Sequence, residues 1–188
     1  MKFKRLISWL LASALAASLA VMPIGAAGTS SFGDISAVNA DILRLMGVVS
    51  GTGGNQFNPN GTLTRAEFCT MVVKFMQQGD QVPIHATRTI FSDVTSKHWA
   101  QGYVNLAASL TVTPLISGIG DGRFLPDSQL TYAQAVTILI RVLGYSSEQA
   151  GAVWPQSYMN LAESIGLSDG LPSDYNAALT RGQAAQLF

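Results

Sequence analysis

LTRAEF at residues 63–68 returns as LTYAQA at 130–135 and as LTRGQA at 179–184. In each copy a Thr is followed three residues later by Glu or Gln and then by an apolar run. This is the S/T-x-x-E/Q pattern of a capping box: the Thr side chain accepts from the N3 backbone N–H, and the N3 side chain reaches back to the N-cap N–H. Thr64 with Glu67, Thr131 with Gln134 and Thr180 with Gln183 therefore open three helices. Because a neutral Gln can replace Glu in the box, the Glu67 carboxylate is read as structural rather than catalytic. The letter after the Thr behaves differently. It is Arg65, then Tyr132, then Arg181, so capping does not dictate it, and an N1 arginine opposes the positive end of the helix dipole. That residue is expected to serve another purpose. Its removal should change stability by no more than about 0.5 kcal/mol, as at an ordinary surface position.

Outward from these anchors the repeat widens. SGTGGNQFNPNGTLT (50–64) and SGIGDGRFLPDSQLT (117–131) share Ser-Gly, a Phe six residues after that Gly, a Pro two further on, and a closing Leu-Thr. WAQGYVNLA (99–107) and WPQSYMNLA (154–162) share Trp, Gln, Tyr, Asn, Leu and Ala at one spacing. The unit is FSDV, a short loop, an aromatic-led helix, a Gly-rich turn with Phe-x-Pro, then Leu-Thr and a second helix. Copy one spans about 32–77, copy two about 91–145 and copy three about 150–188. After each cap the apolar residues fall on one helical face: Ala66, Cys69, Val72, Val73 and Met76, then Ala133, Val136, Leu139, Ile140 and Leu143. Copy three offers Gly182, Ala185 and Phe188, a face shorter than the others, so the third repeat is expected to be truncated. No period-2 run of convincing length occurs, and the fold class expected is all-α.

The N-terminus sets the compartment. Lys2, Lys4 and Arg5 precede an apolar run from Leu6 to Met22, then Pro23 and the small residues Gly25, Ala26 and Ala27. That layout is a secretory signal peptide over 1–27, cut after Ala27, rather than a membrane anchor. Cleavage removes three of the 11 basic residues and none of the 11 acidic ones, leaving 8 against 11. Nothing in such a balance points to a nucleic-acid binder, which needs a clustered basic face. Cys69 is the only cysteine, so no internal disulfide exists and an exported domain over 28–188 must rest on packing.

These residues resemble an S-layer homology domain of three tandem repeats. The resemblance is carried by FSDV at 91–94, HWA at 98–100, the Phe-x-Pro ahead of Leu-Thr, and above all LTRAEF. It implies an all-helical, pseudo-threefold bundle that anchors exported bacterial proteins noncovalently to anionic, often pyruvylated, secondary cell-wall polysaccharide at the cell surface. Grooves in that family lie between repeats and use the TRAE arginine, the Asp of FxDV, the HWA Trp and nearby glycines. Carried over by position, this implies Arg65, Asp93, Trp99, Gly118 and Arg181 as ligand-binding residues, with no catalytic residue, metal or cofactor. The chemistry suits the ligand, because guanidinium holds a carboxylate bidentately, an indole packs on a sugar ring and an Asp accepts from hydroxyls. Copy one has FGDI and no Trp, copy two has Tyr132 for the arginine, and copy three lacks Phe-x-Pro. At most two competent grooves are expected.

Other readings of the same residues are weaker. Gln56, Asn58, Asn60, Gly61 and Glu67 fall at EF-hand loop positions, but amides replace the early carboxylates and Pro59 interrupts the loop. Cys69 with His85 or His98 has no metal-site or protease spacing and lies on an apolar face, so it is read as a buried small hydrophobe. Trp99 and Trp154 lead amphipathic helices, where an aromatic is ordinarily core; Trp99, beside His98 and Asp93, is the stronger groove candidate. Asp93 equally suits a loop cap. Asp121, Asp127 and Glu163 form no acid/base constellation. The alternatives to wall anchoring are a self-associating structural or adhesive envelope protein, and the anchor of a secreted enzyme whose catalytic part is missing.

Overall fold

The computed structural model describes residues 33, 38–110, 114–172 and 174–188. The segment read as a signal peptide and most of FGDI lie outside them. Helices run α1 (Val38–Leu45), α2 (Arg65–Phe75), α3 (Val82–His85), α4 (Gln101–Ser109), α5 (Tyr132–Val142), α6 (Ser147–Ala150), α7 (Gln156–Ser164) and α8 (Arg181–Leu187), with a 3₁₀ turn at Gly79–Gln81. The fold is all-α. Among the described residues, β-pairing is confined to three isolated bridges.

All three capping boxes form as their pattern dictates. Glu67 N donates to Thr64 Oγ1 at 3.2 Å and Thr64 N to Glu67 Oε2 at 2.8 Å. Thr131 with Gln134 and Thr180 with Gln183 repeat the exchange. A helix start leaves four orphan amides, of which the box satisfies two. The other two come from the neighbouring repeat. Arg65 N and Ala66 N donate to Ser128 O and Pro126 O, Tyr132 N and Ala133 N to Ala177 O and Tyr175 O, and Arg181 N and Gly182 N to Gly61 O and Pro59 O. Each repeat's second helix is thus seated on the turn of the next, and copy three is seated on copy one.

The same circular order recurs twice more. Helix α2 packs on α4, α5 on α7, and α8 on α1. At the centre, Leu63 N donates to Leu179 O (3.0 Å), Leu179 N to Leu130 O (2.8 Å) and Leu130 N to Leu63 O (3.0 Å). These three leucines are the ones preceding the cap threonines, and all are buried. Their backbones close a three-membered ring on the pseudo-threefold axis, and their side chains lie in the core, where burial of each contributes about 2 kcal/mol.

The predicted apolar faces are buried through Ala66, Cys69, Val72 and Val73 and through Ala133, Val136, Leu139 and Ile140, whereas Leu143 is exposed. Phe68 and Met71 are buried too, because α2 is covered by neighbours on more than one side. In copy three Ala185 is buried and Phe188 packs on the rings of Phe68 and Phe75, 5.5 and 5.1 Å between centroids. Two short elements have no counterpart in the repeat as read. The 3₁₀ turn and α3 fill the gap between copies one and two; the turn packs on α3, and α3 lies on α4, where Gly102 leaves room for the Val82 carbonyl. Asn105 Nδ2 donates to the carbonyls of His85 and Arg88, which satisfies the end of that insertion. Helix α6 begins with a fourth capping box, Ser146 with Gln149.

Candidate functional site

Each second helix projects its N1 side chain away from its own dipole and into the next repeat. Arg65 Nε donates to Phe124 O at 2.8 Å and Nη2 to Ser117 O at 3.1 Å, with the guanidinium 4.5 Å above the Phe124 ring. Arg181 does the same in copy one: Nε to Phe57 O at 2.7 Å, Nη2 to Ser50 O at 2.9 Å, and the Phe57 ring at 4.7 Å. The carbonyls and aromatic face offset the unfavourable dipole. Burial lowers the Arg65 pKa from its ordinary value, with Cys69 and Asp93 opposing the shift. The arginines are therefore structural as well as cationic, which corrects the expectation that they stand free of the fold.

Two inter-repeat grooves result, and their walls correspond position by position. The first contains Arg65, Ser117, Gly118, Gln134, Thr137, Ile138, Arg141 and Trp154. The second contains Arg181, Ser50, Gly51, Glu67, Thr70, Met71, Lys74 and Trp99. Arginine comes from one repeat, Ser-Gly from the next and Trp from the one after that. No pair of adjacent repeats could build either groove.

Trp99 and Trp154 both stand outside the core. Trp99 is 60% and Trp154 53% exposed, so the core reading of each is corrected. Each leads its helix but precedes its first turn, where the side chain projects past the packed face. Trp154 Nε1 donates to Thr137 Oγ1 at 3.0 Å, and Trp99 stacks on His98, 5.8 Å between centroids. Each indole thus has a fixed neighbour while about half of the residue remains exposed. Trp154 belongs to the first groove although only Trp99 had been carried over. The signal that could have found it was the shared WxQxYxNLA spacing.

The five carried-over residues divide among three places. Arg65 and Gly118 share the first groove, and Arg181 and Trp99 share the second. Asp93 lines neither: its Oδ1 accepts from Phe124 N and its Oδ2 from Leu125 N, both at 2.8 Å. Leu125 has φ of 58°, a left-handed conformation costly for a branched residue, and the two amide bonds hold it there. Asp93 is thus the loop cap of the two roles considered for it, and it shapes the turn that receives Arg65. Gly118 is required for space, because a Cβ there would lie 2.6 Å from Arg123 O and 2.8 Å from the Phe91 ring.

The third hollow departs from this pattern. Tyr132 occupies the arginine position and is 2% exposed; Glu163, Ser168, Asp169 and Tyr175 are among the other walls. The acids once weighed for catalysis have separate surroundings: Asp121 pairs with Arg123, Asp127 faces His98 at 3.4 Å, and Glu163 lines the third hollow. Cys69 is fully buried, with its thiol 3.6 Å from Tyr103 O. Among the described residues no three His, Cys, Asp or Glu side chains gather as a metal set, and no helix is long and apolar enough to cross a membrane.

Residues 46–69 and 90–136, which hold the Ser-Gly turn, the LTRAEF cap, FSDV and HWA, match the S-layer homology domain. The chain belongs to the S-layer homology family. It is similar to a surface layer protein of Brevibacillus choshinensis, 33% identical over 171 residues, covering 89% of this chain and 15% of the relative. A middle cell wall protein of Brevibacillus brevis is 34% identical over 98% of this chain and 18% of its own length. A cellulosome-anchoring protein of Acetivibrio thermocellus is 23% identical over 74% of this chain and 34% of its own. The chain thus spans well under half the length of these relatives. The S-layer homology repeats place it, like them, at the cell surface.

Proposed function

We propose that this S-layer homology domain anchors an exported protein to the cell wall by holding an anionic secondary wall polymer in its first and second grooves. One observation carries the reading. Each groove combines an arginine fixed by backbone carbonyls, a second cation in Arg141 or Lys74, and a half-exposed indole. A guanidinium held in place in this way suits a carboxylate, and the indole supplies an apolar plate for the sugar that bears it. A pyruvyl ketal is the ligand group we assign, since it joins a carboxylate for the guanidinium to a sugar ring for the indole. The relatives' names, a cell wall protein and a cellulosome anchor among them, support anchoring. Catalysis forms no part of this reading.

The test is sedimentation with purified peptidoglycan, with and without its attached polymer. The chain should pellet with polymer-bearing walls only. Equal pelleting with stripped walls would refute the reading, and concentration-dependent pelleting without walls would favour the self-associating envelope protein.

A further inference from the structure

The two grooves are copies with one difference in charge. The wall of the first has Arg65 and Arg141 and no carboxylate of its own; Glu148 lies outside that wall, on the adjoining hollow that shares Arg141 and Trp154. In the second, Arg181 and Lys74 are joined by Glu67. Glu67 and Gln134 occupy the same cap position, and each spends one oxygen on its own N-cap amide, at 2.8 and 3.2 Å. What remains differs: Gln134 keeps an NH2 donor beside Arg65, to which its oxygen also lies 3.5 Å, whereas Glu67 keeps a negative charge. Asp93 acts on Arg65 from behind the Phe124 turn, but both its oxygens are engaged by backbone amides.

We propose that the two grooves are graded by charge, the first fitted to a doubly anionic saccharide group and the second to a singly anionic one, with the N3 cap residue as the determinant. The proposal rests on the anionic-polymer reading above and specifies it. A wall polymer carrying two kinds of anionic unit would then be held in a fixed orientation, each unit in its own groove. The third hollow, with Glu163 and Asp169 and no lysine or arginine on its walls, takes neither.

Both grooves can be read in one titration, because Trp154 and Trp99 report them separately. The full chain, which also carries Trp9, is titrated by NMR on the indole N–H signals of Trp99 and Trp154, assigned with Trp99→Phe and Trp154→Phe. One probe is a methyl hexosaminide bearing a 4,6-pyruvyl ketal, with one carboxylate; the other bears an added 3-O-carboxymethyl group, with two. Coulomb energy is linear in ligand charge, so a preference for the Trp154 groove of about three-fold with the first probe should become about nine-fold with the second. Glu67→Gln should tighten binding at Trp99 and Gln134→Glu should weaken it at Trp154, while both variants keep the parental melting temperature because both residue types already cap helices in this chain. A preference that is the same for both probes, or unmoved by Glu67→Gln, overturns the grading and leaves the anchor reading intact. If neither indole responds to either probe, the anionic-polymer reading itself falls.

Discussion

The guanidinium of Arg181 lies 4.7 Å from the centre of the Phe57 ring, and its Nε donates at 2.7 Å to the carbonyl of that same residue, 124 positions earlier in the chain. Arg65 and Phe124 repeat the relationship between copies one and two. A side chain that joins two repeats while facing a groove carries stability, and in the function proposed above it carries binding as well.

Arg65→Ala and Arg181→Ala should therefore each destabilise the domain by about 1.5–3 kcal/mol, the range for hydrogen bonds made by a charged group. Lysine should recover little, because a single ammonium cannot span two carbonyls in the guanidinium's fork geometry. Urea unfolding of the four variants measures this; losses under 0.5 kcal/mol would restore the view of these arginines as free surface cations.

Binding is better separated from stability at the indoles. Trp99→Ala with Trp154→Ala removes two largely exposed side chains and one hydrogen bond, so the melting temperature should fall by only a few degrees. Pelleting with polymer-bearing walls should be lost. Retention at the parental level would place the ligand elsewhere.

Capping gives a quantitative contrast within one box. Thr64→Ala should cost about 1 kcal/mol, and Glu67→Gln much less, since Gln134 and Gln183 make the same bonds. Chemical denaturation distinguishes them, and equal large losses would assign Glu67 a second structural role.

Asp93→Ala should exceed both single cap losses, because it frees two amides and releases a left-handed Leu125. Pairing it with Leu125→Gly tests the cause. Glycine adopts that conformation without strain, so part of the loss should return; no recovery would mean that Asp93 acts through charge alone.

Burial pushes the Cys69 thiol from its ordinary 9.0 up to about 12. The unfolded chain therefore releases this proton near pH 9 while the folded chain keeps it. The associated stability is complete below pH 9 and is lost as pH rises from 9 towards about 12. Cys69→Ala should flatten that part of the stability–pH curve, and native Cys69 should resist thiol reagents at neutral pH until denaturant is added.

What was legible in the sequence was what local chemistry writes there. Thr64, Thr131 and Thr180 announced their helices, because a capping box is complete within four residues. The apolar periodicity of α2 and α5 fixed their inward faces. Asp93 was open to two readings, since a carboxylate near an aromatic looks alike whether its partner is a sugar hydroxyl or the amide of Leu125. The tryptophans leaned the wrong way because an aromatic at a helix start says nothing of where the packed face begins. The arginines' partners were illegible for a simpler reason: Phe57 O, Ser50 O, Phe124 O and Ser117 O are backbone atoms, and backbone acceptors leave no trace in residue identity. Nor could spacing show that Trp154 serves the arginine of copy one, since that depends on the circular closure through Leu63, Leu130 and Leu179.

That closure has a mechanical consequence. Because each leucine of the ring is both donor to one neighbour and acceptor from the other, excising any single repeat leaves a broken circuit rather than a shorter stack, unlike a solenoid that can lose a unit. A ligand held in either groove as proposed would meet walls drawn from all three repeats. Tension applied through an attached cargo would then have to part the domain against its own tether, and the occupied anchor should yield at higher force than the empty one.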